Sequence, residues 1–276
     1  MSRMHPAGAA AARIAPLDLA RLRAAAGGPA AMWTDLRVVA ETGSTNEDVL
    51  KLGGDGAPEG LVIAAESQTA GRGRQGRSWQ SRPAAALTFS VLLRPQSVPQ
   101  AMRGWVPLLA GVATARAVRQ VAAVDARLKW PNDVLLGGGK LAGILAEQSG
   151  DAIVVGMGIN VLGRDHDLPT ATATSLERGG AGPTDRTELL AEILRQLEHW
   201  YLRWRETGSG DAAGCGLRQE YVSLCATLGR VVRVQLPGDR TLTGTTVDVG
   251  CAGQLLIRRD GGDIVAVSAG DVVHVR

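Results

Sequence analysis

The stretch Leu128-Lys129-Trp130-Pro131-Asn132-Asp133-Val134-Leu135-Leu136-Gly137-Gly138-Gly139-Lys140-Leu141-Ala142-Gly143-Ile144-Leu145-Ala146-Glu147 reads as strand, turn and strand. Val134 to Leu136 and Lys140 to Glu147 are strand candidates, and the Gly137-Gly138-Gly139 run turns one into the next. Pro131 cannot donate to a ladder. It therefore predicts an interruption after the strand Arg127 to Trp130, with Asn132 and Asp133 on an irregular edge. Ile153 to Val161 is the strand that follows.

Upstream, Val38 to Ala40, Leu61 to Ala65 and Leu87 to Leu93 also read as strands. Ser44-Thr45-Asn46-Glu47 has the form of a capping box and predicts a helix from Thr45 to Leu52, ended by Gly53-Gly54. Trp105, Leu108, Leu109, Val112, Ala115, Ala117 and Val118 recur at helical spacing, which predicts an amphipathic helix over 102–122. Thr184-Asp185 starts another that carries Leu189 to Trp204, and Leu217 to Leu228 is a third. After Gly229 the pattern changes to five short strands punctuated by glycines, the signature of a small β-barrel. The organisation expected is a loose arm over 1–35, in which Leu17 to Ala26 forms one short helix, a main domain over 36–227 and a barrel over 228–276.

Composition narrows the function classes. Hydrophobic residues make up 45% of 276, enough for a sizeable core, and Leu, Val, Ile and Ala must fill it because only six Trp, two Tyr and one Phe are present. Cys215, Cys225 and Cys251 are odd in number and lack CxxC spacing. That excludes a disulfide framework or thiolate zinc site and fits a reducing compartment. The four histidines form no HxxxH pair. No apolar run reaches the ~18 residues of a membrane span, and the Ala-rich start is a poor signal peptide. A net charge of +3 does not by itself imply nucleic-acid binding.

Glu66-Ser-Gln-Thr-Ala-Gly71-Arg72-Gly73-Arg74-Gln75-Gly76-Arg77-Ser78-Trp79 is the most specific stretch. Its glycines let backbone approach a ligand closely, and its three guanidinium forks match carboxylate or phosphate oxygens. Like charges and glycine entropy predict a loop that orders on ligand binding. Gly71-x-Gly73-x-x-Gly76 matches the letters of the dinucleotide fingerprint, but no apolar helix follows and arginines fill the gaps. A solvated surface loop or a weak RNA contact is the plainer reading. In the opening hairpin, Lys129 and Lys140 bracket Asn132 and Asp133. The lysines can neutralise phosphate charge, and Asp133 can help hold Mg²⁺ or orient an amine. An ordinary hairpin with solvated lysines is the alternative, and Leu141 rules out a P-loop at Gly139-Lys140. Gly156 and Gly158 inside an apolar strand mark either ligand approach or tight packing. Asn160 closes that run and needs a partner.

Five stretches occur in order: Gly43-Ser44-Thr45-Asn46, the Gly71–Arg77 loop, Lys129-Trp-Pro-Asn-Asp133, Gly139-Lys140-Leu-Ala-Gly143 and Gly156-Met-Gly-Ile-Asn160. Together they resemble the biotin protein ligase family over about residues 38–276. The resemblance implies an α+β fold: a mixed, largely antiparallel sheet flanked by helices, followed by an SH3-like barrel. It implies ATP and biotin as substrates with Mg²⁺, and a biotin carboxyl carrier protein or domain of acyl-CoA or pyruvate carboxylases as acceptor. Ser44, Thr45, Asn46, Gln68, Gly71, Arg72, Gly73, Arg74, Lys140 and Gly143 are implied at the biotin end. Arg74, Arg77, Trp79, Lys129, Asn132, Asp133, Lys140 and Asn160 are implied on the ATP side, with Lys140 and Arg74 catalytic. A cytoplasmic, ligase-only form with no specific DNA target and no membrane association is the expectation. A lipoate or octanoate ligase or transferase of the same fold is one rival, and a non-enzymatic RNA-binding or regulatory protein is another.

Overall fold

A computed structural model describes residues 15–28, 31–163, 167–168, 170–236 and 240–275. Seven strands build the main sheet: β1 (Asp35–Thr42), β2 (Leu61–Gln68), β3 (Ala86–Leu93), β4 (Arg127–Lys129), β5 (Asp133–Leu136), β6 (Gly139–Ser149) and β7 (Ala152–Asn160). Their order is β1-β2-β3-β7-β6-β5-β4. Only β1 and β2 run parallel; every other neighbour is antiparallel, as the resemblance implies. Gly137 and Gly138 take positive φ of 57° and 83°, and Gly139 begins β6. The edge expected for Asp133 is not found. Asp133 opens β5, which is paired on both sides, while Asn132 lies in the turn after β4.

The helices are α1 (Leu19–Ala26), α2 (Thr45–Gly54), α3 (Trp105–Ala122), α4 (Arg186–Glu206) and α5 (Leu217–Leu224). α3 and α4 pack together, and α1 packs on α4. Gly111 of α3 has no Cβ to hold off Leu128, whose Cδ2 lies 3.3 Å from where one would be. α4 begins where Asp185 accepts from the N–H groups of Thr187 and Glu188, so Asp185 alone supplies the side-chain cap. The capping box at α2 is not formed. Ser44 stands at the N-cap, but its hydroxyl makes no cap bond, and the residue is buried instead.

The expected loose arm is partly docked: Leu17, Leu22, Ala26 and Trp33 are buried, and Trp33 Nε1 donates to Leu194 O on α4 at 2.9 Å. Residues 1–14 of that arm lie outside the described residues. After α5, β8 (Val231–Gln235), β9 (Thr241–Val249), β10 (Leu255–Arg258), β11 (Ile264–Val267) and β12 (Asp271–His274) form a second, antiparallel sheet in the order β11-β10-β9-β8-β12. Among the described residues β11 and β12 do not pair, so the expected barrel is an open, SH3-like sheet. Its inner residues Val232, Val234, Val249, Leu255 and Ile257 join the same core as α3 and the main sheet.

Candidate active site

Cross-strand register puts Lys129, Asp133, Gly143, Gly158 and Thr88 in one row across the main sheet. The adjacent row on the same face is Leu145, Gly156 and Ser90. Three glycines on β6 and β7 leave this face bare where α2 and the Gly/Arg loop cover it. A Cβ on Gly156 would lie 1.9 Å from Asn46 Oδ1, and one on Gly158 would lie 2.4 Å from Trp79 Cε2. A Cβ on Gly143 would meet Trp79 Cζ3 at 3.2 Å and Lys140 Cε at 3.3 Å. For Gly156 and Gly158 the tight-packing reading holds: each admits the side chain of a candidate site residue.

At the α2 end of the face lies an uncharged polar cradle. Gln68 Oε1 accepts from Thr45 N at 2.9 Å. Thr45 Oγ1 lies 2.7 Å from Ser90 Oγ, and Ser90 donates to Asn46 Oδ1 at 2.6 Å. A hydroxyl has one proton. With the Ser90 proton on Asn46, the single Thr45 proton has two acceptors in reach, Ser90 Oγ and Gln68 Oε1, the latter at 3.0 Å. Asn46 Nδ2 donates onward to Glu147 Oε2 at 2.9 Å. Glu147 Oε1 pairs with Arg72 at 3.1 Å, and Arg72 also meets Glu47 at 3.4 Å. Gly71 is needed here too, because a Cβ would stand 2.8 Å from Gln68 Nε2.

At the opposite end lie the cations. Lys140 Nζ is 2.6 Å from Asp133 Oδ1, yet that oxygen makes no hydrogen bond within normal geometry, so the contact is Coulombic. Arg74 Nη1 donates to Asn132 Oδ1 at 2.8 Å, and Asn132 Nδ2 donates to Ile144 O at 3.0 Å. Burial lowers the Arg74 pKa while Asp271 and Asp133 oppose the shift. An arginine stays cationic under either influence. Trp79 stands between the two ends on the glycine platform, its Nε1 buried without a partner. The loop folds back on itself through Trp79 N to Gly71 O (2.8 Å) and Gly73 N to Arg77 O (2.6 Å). Arg77 reaches away from the lysine to Asp271 of the C-terminal sheet. A cavity of about 290 Å³ opens from Arg74 and Asn132 toward Gly253, Gln254 and Ser268 of that sheet.

The structure thus brings together Thr45, Asn46 and Gln68 at one end and Lys140, Asp133, Arg74 and Asn132 at the other. Lys129 shares the Asp133 face but lies beside His274, whose pKa it helps to lower after burial. Asn160 is buried and spends its amide on Thr174 O at 2.9 Å. It braces the segment whose Thr172 carbonyl accepts from Lys140 N at 2.8 Å. Ser90 completes the cradle, and Glu147 borders it through Asn46 Nδ2 and Arg72, without either having been singled out in the sequence. Ser90 is one of two hydroxyls, with Thr88, on the glycine-facing side of an otherwise apolar strand, a weak signal that exists only once the register is known.

A mixed sheet with a glycine-cleared face, a polar cradle at one end and a guanidinium–ammonium cluster at the other defines an α+β protein that gathers anionic substrates. Residues 38–163 match the Biotin/lipoate A/B protein ligase family, and 227–275 match the Biotin protein ligase C terminal domain. The chain is 42% identical to the biotin–[acetyl-CoA-carboxylase] ligase of Mycobacterium tuberculosis over 265 residues, covering 95% of this chain and 97% of that one. It is 34% identical to the enzyme of the same name from Paracoccus denitrificans, covering 84% and 98%. Among solved structures, the Aquifex aeolicus biotin protein ligase in complex with biotin and ATP is similar at TM-score 0.73 and 30% identity, covering 88% of this chain and 99% of that one. The chain belongs to the biotin protein ligase family.

Proposed function

We infer that this protein is an ATP-dependent biotin–protein ligase that forms biotinyl-5′-AMP and transfers biotin to a lysine of a carboxyl carrier protein or domain. One observation carries the reading from the structure: an uncharged hydrogen-bonding cradle and a cation cluster share one cleared sheet face, separated by Trp79. Gln68, Thr45 and Asn46, with Ser44 and Gly71 beside them, suit the neutral ureido ring. Arg72, Gly73 and Gly143 line the route from it toward Lys140.

In the first step the biotin carboxylate attacks the α-phosphorus and pyrophosphate leaves. Two anions must meet, so the work is positioning and charge stabilisation. Lys140 and Arg74 supply it: Lys140 at the reacting carboxylate and α-phosphate, and Arg74 on the loop above. Arg77, Lys129, Asn132 and Asn160 serve the ATP side, Asn160 through the segment beside Lys140. Trp79 forms the wall between the two substrates. In the second step the neutral acceptor amine attacks the acyl carbon and AMP leaves.

The described residues hold no group of three or more metal-ligating side chains. Asp133 already neutralises Lys140 through one oxygen. These residues fit Mg²⁺ carried by the nucleotide phosphates, with at most Asp133 as a protein ligand, where the ion would offset phosphate charge.

We further propose a catalytic unit over 36–227 and a C-terminal unit over 228–276, in the cytoplasm. Three free cysteines fit that compartment, and no helix among the described residues is long and apolar enough to cross a membrane. Specific DNA is not a partner in this reading, and a biotin-dependent gel shift on a defined sequence would count against it. The deciding experiment is pyrophosphate–ATP exchange run with biotin, with lipoate and with no acid. Exchange with biotin alone is expected. Exchange with lipoate would move the function to the sister ligases, and no exchange from folded protein would overturn the reading.

A further inference from the structure

We propose that Asp271, at the head of β12 in the C-terminal sheet, is a positioning residue for the Gly/Arg loop, holding Arg77 where the loop meets ATP. The proposal rests on the ATP-dependent reading above. Arg77 Nη2 lies 2.7 and 2.8 Å from the two carboxylate oxygens of Asp271, and Arg77 Nε donates to Arg74 O at 3.2 Å. These bonds fix the plane of the guanidinium through Nε and Nη2. Nη1 has no hydrogen-bond partner among the described residues, which leaves its two donors for an anion. Arg74 leans the same way, its Nη2 3.4 Å from Gly270 O.

The anchor is itself held. Gly270 has φ of 156°, and a Cβ there would meet Val234 Cγ1 at 2.7 Å and Gln235 O at 2.9 Å. Its backbone therefore sits hard against β8, and the pairing of Asp271 with Gln235 starts the β12–β8 ladder. The loop carries three arginines in six residues. Arg72 is neutralised by Glu47 and Glu147 of the main domain at one end, and Arg77 by Asp271 at the other. Without Asp271 the far end of the loop has no carboxylate to oppose its own repulsion. The C-terminal sheet thus acts as the outer clasp of the loop.

The test compares wild type, Asp271→Asn and Asp271→Glu. Ligand-free protein is digested briefly with trypsin, and cleavage after Arg74 and Arg77 is mapped by mass. Pyrophosphate exchange then gives separate KM values for ATP and biotin. Asp271→Asn should speed loop cleavage and raise the ATP KM by about two- to fivefold, the span of an exposed ion pair. The biotin KM and the thermal midpoint should stay at wild-type values, and Asp271→Glu should restore both readouts. Wild-type cleavage and an unchanged ATP KM in Asp271→Asn would overturn the proposal. So would a matched rise in both KM values with a lowered midpoint, which marks a merely structural role. If wild type showed no biotin-dependent exchange, the ligase reading would fail instead, and loop cleavage would still judge the clasp.

Discussion

Gly156 is the residue at which one methyl group does most damage. Its absent Cβ is filled by Asn46 Oδ1, and that oxygen is the acceptor for the buried Ser90 hydroxyl. Overpacking of this kind costs roughly 1–3 kcal/mol. Gly156→Ala is expected to weaken biotin binding by about tenfold or more, read by isothermal titration, since the strain falls on a ligand group. Wild-type affinity would show that Asn46 has room to yield. Lys140 behaves oppositely. Its side chain is 37% exposed and its partner is a single carboxylate oxygen, so folding depends little on it. Lys140→Ala should lower the rate of adenylate formation about 10²–10³-fold with the thermal midpoint barely moved; near-normal exchange would remove its catalytic role. Lys140 and Gly156 were legible in the sequence because lysine and glycine stand out in apolar strands. Ser90 and Glu147 were not. A serine among strand residues and a glutamate at a strand's end look ordinary until register sets them beside Asn46.

At the scale of elements, the N-terminal segment, β2 and α4 meet at one buried ion pair. Arg186, 4% exposed, opens α4 and pairs with Glu66 Oε2 at 2.7 Å near the end of β2. Glu66 Oε1 accepts from Leu17 N, and Arg186 also donates to Ala15 O at 2.8 Å and Ala86 O at 3.2 Å. Removing one partner strands a charge away from water. Arg186→Met should therefore cost about 3 kcal/mol, the low end for a buried pair, because Glu66 keeps some solvent access. Urea unfolding measures it, and a loss below about 1 kcal/mol would place the pair with surface bridges. Because Glu66 heads the Gly/Arg loop, faster tryptic cleavage of that loop should accompany the loss. Periodicity found α4 and the end of α3, which starts at Trp105, three residues after the expected 102. It misjudged the segment before β1, because a short helix with few apolar residues looks loose until α4 offers it a surface. The Ser44–Glu47 motif failed for the converse reason: a cap is a local use of Ser44, and burial prevailed.

For the whole molecule the question is whether the two sheets unfold together. Short strands and glycines announced a small separate barrel, and that reading held for the strands but not for closure. β11 and β12 follow one another in the chain and yet stand at opposite edges of the sheet, an arrangement that no strand pattern encodes. Nor did the sequence reveal how the second sheet is attached. Two buried indoles bridge the units: Trp105 Nε1 donates to Cys251 O at 2.6 Å, and Trp130 Nε1 donates to Gly253 O at 3.0 Å. Thr227 Oγ1 accepts from Trp130 N at 3.1 Å, and Arg218 on α5 pairs with Asp248 on β9. Apolar residues of both sheets belong to one continuous core. If the C-terminal sheet opened first, it would leave two indole N–H groups without acceptors and expose part of that core. Each such loss costs about 1–3 kcal/mol, so partial unfolding is disfavoured and a single two-state transition is expected. All six tryptophans lie before residue 205, so their fluorescence reports the first unit and, through Trp105 and Trp130, its junction with the second. The exposed thiol of Cys251 accepts a dye that reports the second. The urea midpoints from indole and dye should coincide. A dye transition at clearly lower urea would mean that the C-terminal sheet opens independently, and a clasp on the Gly/Arg loop could then be released without unfolding the catalytic sheet.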